Sequence, residues 1–191
     1  MPFMNTIEDQ VYNKISAIDL LRQNANFENC RFVNCDFANG NLSNIIFVDC
    51  CFEGCNLALC DIKNTGLQNI YFKDCKLSGV DFSKARDFLF EINAENCLMD
   101  NAIFYQRKSK GAKFIDCSMI ETDFTEADLT NSSFDNCNLQ HAFFNRTQLK
   151  NADFTSSYNF NIDPEMNFIK KTKFSLHGLP GLLSKYDIVI K

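Results

Sequence analysis

The chain has 191 residues, with 19 Lys and Arg against 24 Asp and Glu, a formal net charge of -5, 20 Phe, 10 Cys, 2 His and no Trp. That size and a 46% hydrophobic content suit one folded domain. The net acidity argues against generic binding to nucleic acid or to an anionic membrane, which needs a basic surface. The opening residues show no basic and apolar leader, and no apolar run approaches the ~18 residues of a membrane-spanning helix. The expectation is therefore a cytoplasmic protein whose cysteines stay reduced thiols.

Residues 1–24 show no clear repeat and are expected to form an N-terminal cap. From Phe27 an apolar residue recurs every five positions: Phe27, Phe32, Phe37, Leu42, Phe47, Phe52, Leu57, Ile62, Leu67, Phe72, Leu77 and Phe82. After a shift of two residues near 83–88 the series resumes at Leu89 and runs to Phe154, with Ser109 its one polar member. A period of five matches neither the 3.6 of a helix nor the 2.0 of a plain strand. We call these positions centres. The residue two before each centre is usually small, and nine of the ten cysteines fall there; Cys51 is the tenth. The three remaining positions are mostly Asn, Asp, Glu, Lys, Gly and Ser. Each unit thus has one large and one small inward position and three outward ones.

Residues twenty apart match closely. Cys35, Cys55 and Cys75 are followed, across the two-residue shift, by Cys97, Cys117 and Cys137. Phe32, Phe52, Phe72, Ala94, Phe114, Phe134 and Phe154 form a second file, and Phe82, Phe104, Phe124 and Phe144 a third. A coil of four five-residue units predicts this stacking. Asn29, Asp49 and Asn69 recur at a corner, where Asn, Asp and Gly accept unusual backbone angles.

The units Cys35–Asp–Phe–Ala–Asn39, Ala127–Asp–Leu–Thr–Asn131 and Ala152–Asp–Phe–Thr–Ser156 resemble the signature of the pentapeptide-repeat family. The resemblance implies an all-β solenoid, a right-handed quadrilateral parallel β-helix, over residues 25–158. It also implies a non-enzymatic protein-interaction rod rather than an enzyme. Family members that protect DNA gyrase, a type II topoisomerase, present an acidic surface that mimics DNA. A structural or adaptor scaffold with an unrelated protein partner is the alternative. No cofactor is expected: the interior of such a rod is filled, the thiols point inward in a line rather than converging on a metal, and no C-x-x-C occurs. Of the thiols only Cys51, outward, is a candidate for reactivity, and His141 is an outward corner residue.

Two surface features are candidates for partner contact. The first is acidic. Asp61, Asp81 and Asp123 fall in one outward column, and between Lys113 and Arg146 come Asp116, Glu121, Asp123, Glu126, Asp128 and Asp135 without a base. The bland alternative is that an Asp or Asn before a centre satisfies local backbone groups and solubilises the rod. The second is irregular. Arg107 occupies a small inward slot and Ser109 a centre, beside the shift at Lys84 and Arg86. Phe88 and Phe90 flank it in outward slots, with Lys108 and Lys110 nearby. Irregular segments on a rigid scaffold are where recognition often sits.

Residues 159–191 change character. Asp163, Pro164 and Glu165 read as a helix start, with a helix through Met166, Phe168 and Ile169 to Lys171. Gly178–Leu–Pro–Gly181 is a turn signal, and the chain ends on the apolar Ile188–Val–Ile190. This tail resembles the C-terminal helix and strand of the Qnr-type quinolone-resistance and microcin-immunity members, which implies a homodimer formed through Leu179, Leu182, Leu183, Tyr186, Ile188 and Ile190. Burial of the same residues as a monomer cap is the alternative. Qnr-type members carry longer projecting loops, and no insertion of that size occurs here.

Overall fold

A computed structural model describes residues 5–186 and 188–189. In chain order the elements are β1 (Asn5–Glu8), β2 (Val11–Asn13), α1 (Ala17–Leu21), β3 (Ala25–Glu28), β4 (Arg31–Val33), β5 (Ile46–Val48), β6 (Cys51–Glu53) and β7 (Gly66–Gln68). Then come β8 (Ile70–Lys73), β9 (Ile92–Glu95), β10 (Lys113–Ile115), β11 (Ser133–Asp135), β12 (Asp153–Phe154), β13 (Lys173–Phe174) and α2 (Pro180–Leu183).

All pairing is parallel and joins residues twenty apart, or twenty-two across the shift: Phe32 pairs with Phe52, Phe72 with Ala94, and Phe114 with Phe134. This is the four-sided β-solenoid that the period implies. Wall 1 stacks β1, β3, β5 and β7; wall 2 stacks all nine of β2, β4, β6, β8, β9, β10, β11, β12 and β13. Walls 3 and 4 are held by single bridges, such as Asn56 to Lys76 on wall 3 and Ile103 to Asp123 on wall 4. Nine strands at the usual ~4.8 Å spacing make a rod roughly 40 Å long.

The solenoid is longer at both ends than the repeat between 25 and 158 suggests. Residues 5–13 are not a separate cap: β1 and β2 are the first rungs of walls 1 and 2. Ile7, Tyr12 and Ala17 in fact continue the period of five backward. The short helix α1 then replaces a regular corner, with Ser16 and Asp19 capping each other's backbone N–H and Leu20 buried. At the other end, the helix expected from Asp163 to Lys171 does not form. The segment makes one more coil: Phe168 bridges Gln148, the Met166 carbonyl accepts from the Arg146 N–H, and β13 pairs with β12. Asp163 still accepts from the Glu165 N–H, but the arriving coil outcompetes a lone helical turn for the backbone groups.

The centres fill the interior. Phe27, Phe32, Phe52, Phe114, Phe124 and Phe134 are buried, and rings in one file stack, at 4.7 Å in Phe32–Phe52 and 5.1 Å in Phe114–Phe134. Each buried ring contributes ~1.5–3 kcal/mol by leaving water. The small slot has its own logic. On walls 3 and 4 the centre carbonyl is closed by the N–H three residues on, as Gly40 closes Phe37 and Cys60 closes Leu57. On wall 2 a thiol from the next coil reaches the centre carbonyl. Cys55 Sγ donates to Phe32 O at 3.2 Å, Cys75 Sγ to Phe52 O at 3.3 Å and Cys137 Sγ to Phe114 O at 3.5 Å. Ser157 finishes that file with its hydroxyl on Phe134 O at 2.5 Å. In this file the slot thus combines small volume with a weak donor, which Cys and Ser supply, whereas Ala102, Ala127 and Ala152 fill the same slot elsewhere by size alone.

Most corners carry one residue in the left-handed region. Among the described residues twenty-six that adopt it are not glycine, and most of these are Asn or Asp, which tolerate it best. Several also pair from coil to coil: Asn29 donates to Asp9, Asn69 to Asp49, Asn96 to Asp74 and Asn136 to Asp116.

The tail folds back over the open end. Ile162 N–H donates to Gly181 O at 3.0 Å, and a Cβ at Gly181 would lie 2.3 Å from Phe160 O, so only glycine seats there. Leu182, like Phe174, packs half-buried on the core. Lys185 bridges Asp163 at 2.9 Å and Glu165 at 2.7 Å, and Tyr186 donates to Glu165 at 3.0 Å. Leu182 thus belongs to the monomer cap, whereas Leu179 and Tyr186 stay exposed, with Leu183 half-buried. Ile188 is exposed, and Ile190 lies outside the described residues.

The thiol column and the tail cap each lend themselves to a direct measurement. Burial pushes the thiols of Cys50 and Cys60 up to about 12, and hydrogen bonding to the neighbouring thiol together with burial raises Cys75 and Cys137. Iodoacetamide at pH 8 should modify Cys51 alone in the native protein and all ten cysteines in denaturant, as mass spectrometry would count; rapid native modification of Cys75 or Cys117 would mean that the column is open. At the tail, hydrogen bonds from Lys185 hold Asp163 and Glu165 below their ordinary 3.8 and 4.5. With carboxyl values depressed in the folded state, this tie is complete above pH ~4.5 and is lost as pH falls through the lowered values. The NMR signals of Tyr186 should therefore shift toward free-tyrosine positions as the pH falls below the ordinary carboxylate values and the lowered carboxyls protonate, before the core unfolds, and 1 M salt should weaken the tie at neutral pH. Unchanged Tyr186 signals down to pH ~2 would remove the ion pairs from the cap.

Candidate interaction surfaces

The interior is packed, so chemistry and recognition are left to the outer walls. An open depression of about 820 Å³ lies on wall 4, lined by Glu121, His141, Phe143, Phe144 and Asp163 among others. Among the described residues no group of three or more His, Cys, Asp or Glu side chains is placed to hold a metal ion. No helix among them is long and apolar enough to cross a membrane.

The eight expected acids do not share one face. Asp61, Asp81 and Asp123 lie in the column before the wall 4 centres, but the column reads Asn41, Asp61, Asp81, Ile103, Asp123, Phe143, so Ile103 separates Asp81 from Asp123. Glu121 stands at the corner between walls 3 and 4, and Glu126 at the corner between walls 4 and 1. Asp128 is on wall 1, bridged to Lys108. Asp116 is at the corner between walls 2 and 3, and Asp135 is in β11 on wall 2. The reason is geometric: five residues carry the chain around one side, so acids that cluster in sequence are dealt out to successive walls.

Local bonding claims much of this charge. Asp61, Asp81, Asp123 and Asp128 each accept from the backbone N–H two residues on, at 2.8–3.1 Å. Asp81 also pairs with Lys84 at 3.2 Å, Asp128 with Lys110 at 3.2 Å, and Glu126 with Arg146. The local backbone role of an Asp before a centre is thus real, and it fixes the direction of each carboxylate.

Wall 4 has a second component that the charge pattern did not mark. Tyr105 and Phe143 are exposed beside Ile103 and Asp123. The signal was available: Ile103 and Phe143 are apolar at a position that is polar elsewhere in the same column.

The irregular patch divides into an inside and an outside. After Phe82 a 3-10 turn over Phe82–Lys84 leads the chain away from the wall. Phe88 and Leu89 stand in solvent, 71% and 63% exposed. Leu89 is therefore not the inward centre that the five-residue count assigns; Phe90 turns in, half-buried against Phe82. Phe90 and Arg107 are thus not partner contacts, since both turn inward and Arg107 is buried at 2% exposure. Lys84, Lys108 and Lys110 are exposed and Arg86 half-exposed. The insertion carries two extra residues past the corner, so register alone does not say which apolar side chain re-enters.

At the capped end, Met166, Phe168, Leu176, Leu179, Tyr186, Ile188 and Val189 are all exposed, Leu176 and Val189 to 84%. Met166, Phe168, Leu176 and Val189 lie outside the expected dimerisation set, yet they are exposed as well.

The chain matches a family model described as a pentapeptide repeat region over residues 25–94 and one described as pentapeptide repeats over 110–145 and 132–160. No curated protein matches in sequence. Among solved structures the chain is similar to QnrB1, a plasmid-mediated fluoroquinolone resistance protein. The full-length form is 17% identical over 96% of this chain and 100% of that one, with a TM-score of 0.48; a trypsin-treated form is 18% identical over 99% of each, also at 0.48. HetL, a pentapeptide repeat protein involved in heterocyst differentiation regulation from the cyanobacterium Nostoc sp. strain PCC 7120, is 11% identical over 91% of this chain and 88% of that one, with a TM-score of 0.34. With its repeats matched over most of the length and its coils closing at twenty residues, or twenty-two at the shift, this chain belongs to the pentapeptide-repeat family.

Proposed function

We propose that this chain is a non-enzymatic interaction rod that contacts a protein partner through wall 4 and the adjoining 84–90 edge. The observation that carries this reading is the strip of Asp61, Asp81 and Asp123 with Tyr105 and Phe143 beside them. Its carboxylates are aimed by backbone hydrogen bonds, and its aromatic side chains are exposed on a scaffold that cannot yield. Exposed aromatic groups among oriented charges suit protein recognition. The finer proposal, supported by the family resemblance of the repeat units, is that the partner is DNA gyrase and that the rod acts as a DNA mimic. The spread of these acids over walls 1, 2 and 4 and the corners between favours a second reading, an adaptor rod with another protein partner. The exposed apolar end formed by Leu176, Leu179, Ile188 and Val189 supports a homodimer joined end to end.

Purified protein should alter gyrase supercoiling or shift its quinolone sensitivity, and the triple change of Asp61, Asp81 and Asp123 to Asn should weaken this effect about 10-fold or more. Binding that survives the triple change would move the contact off wall 4. No binding even at low salt would discard gyrase and leave the adaptor reading. Light scattering should give twice the chain mass, and the pair Leu176→Lys and Leu179→Lys, at positions exposed in the protomer, should halve it. A monomeric wild-type protein would end the dimer proposal.

A further inference from the structure

We infer that Arg107 is the positioning residue of the Ser83–Phe90 segment, setting from inside the core the shape that this edge presents outside. The inference rests on the proposal that the 84–90 edge takes part in recognition, but its structural half stands without it.

Arg107 occupies a slot that holds Ala25, Ile45 and Thr65 in the coils below and Ala127 and Thr147 in the coils above. A long cation fits there because the two extra residues let the chain swing away from the wall. The guanidinium then gathers the displaced backbone around itself. Nη2 donates to Ser83 O at 2.7 Å and Ala85 O at 2.8 Å. Nη1 donates to Arg86 O at 3.2 Å and Asp87 Oδ1 at 2.9 Å. Phe90 lies flat against the cation, its ring centre 4.5 Å from Cζ.

Three carbonyls of one short segment turn inward toward a dry core. Without a donor there, each would lose its partner, which buried backbone does not tolerate. The lysine ammonium has no planar fork to reach all four acceptors at once. The consequence appears on the outside. With Ala85 and Phe90 drawn in, residues 87–89 arch outward and leave Phe88 and Leu89 in solvent. Leu89 is held at φ +53, a region a branched side chain avoids unless its surroundings impose it. Wall 1 changes at the same place: its strand pairing stops at β7 and resumes as single bridges from Lys108 onward. Two apolar side chains on a pre-shaped arch are what a protein contact gains from order present before binding.

The test uses the full chain. In the wild type, slowed rotation should give separately resolved Nη signals of Arg107 in a nitrogen-proton spectrum; averaged signals would overturn the inference without any mutant. In Arg107→Met, the amides of Arg86 and Glu91, which bond to Thr65 O and Leu67 O, should exchange about 10-fold faster or more while those of Phe114 and Phe134 keep their rates. Trypsin should then cut after Lys84 or Arg86, bonds that resist in the wild type. Arg107→Lys, keeping the charge without the fork, should leave wall 2 protected yet fail to restore the segment. Equal protection in all three proteins would overturn the assignment, as would full rescue by lysine. A gyrase binding assay separates the two halves: Phe88→Ser and Arg107→Met should weaken binding alike. If exchange changes as stated but neither variant affects binding, the edge is excluded from the contact and the positioning role stands.

Discussion

Each coil satisfies its backbone through coils twenty residues before and after it. A centre N–H donates to the coil above, the residue before the centre donates to the coil below, and the thiol or hydroxyl two places earlier reaches a centre carbonyl. No coil could close its own hydrogen bonds alone. Stability therefore belongs to the stack, as in other solenoids. The five-residue period, the file of cysteines and the asparagine corners are consequences of this one constraint, since any unit out of step would strand polar groups on both neighbours.

The constraint also explains where departures are allowed. At the corners Leu59, Glu121, Glu126, His141, Arg146 and Lys171 all adopt the left-handed region, although none favours it. The cost of about 1 kcal/mol or more per residue is imposed by stacking on both sides. A corner side chain points away from the core, so its identity is free for surface chemistry once the backbone has been forced. At Arg107 the constraint works in reverse. An oversized polar side chain in an inward slot is accepted because an insertion beside it supplies both room and carbonyls.

A filled rod puts recognition on its outside, and each wall samples one residue in twenty from a given outward position. Charge that looks concentrated along the chain is thereby diluted around the rod. Wall 4 keeps three aimed carboxylates, and the aromatic groups beside them give it a mixed character that sequence charge did not suggest. The capped end keeps an apolar surface even after Gly181 has closed over Phe160 and Leu182 has packed on the core.

By itself the sequence determined the fold, the coil length, the inward file from Cys35 to Cys137 and the position of the irregularity. Those follow from a strict period, and burial enforces periodicity at every step. It also carried Ile7, Tyr12, Ile169 and Phe174 in phase at the ends, a signal masked by the Leu20–Leu21 pair and by a helix-like start at Asp163. Tertiary structure alone decided that Phe90 rather than Leu89 re-enters the core, that Arg107 is buried within a ring of carbonyls, that Asp116 and Asp135 leave the wall of Asp123, and that Leu182 caps while Leu176 stays exposed. In each case the outcome depends on a partner twenty residues or more away, or on which side chain fits a space that an insertion opened. Local pattern fixes which residues point inward along a regular coil; only the neighbouring coils decide what happens where that regularity is broken.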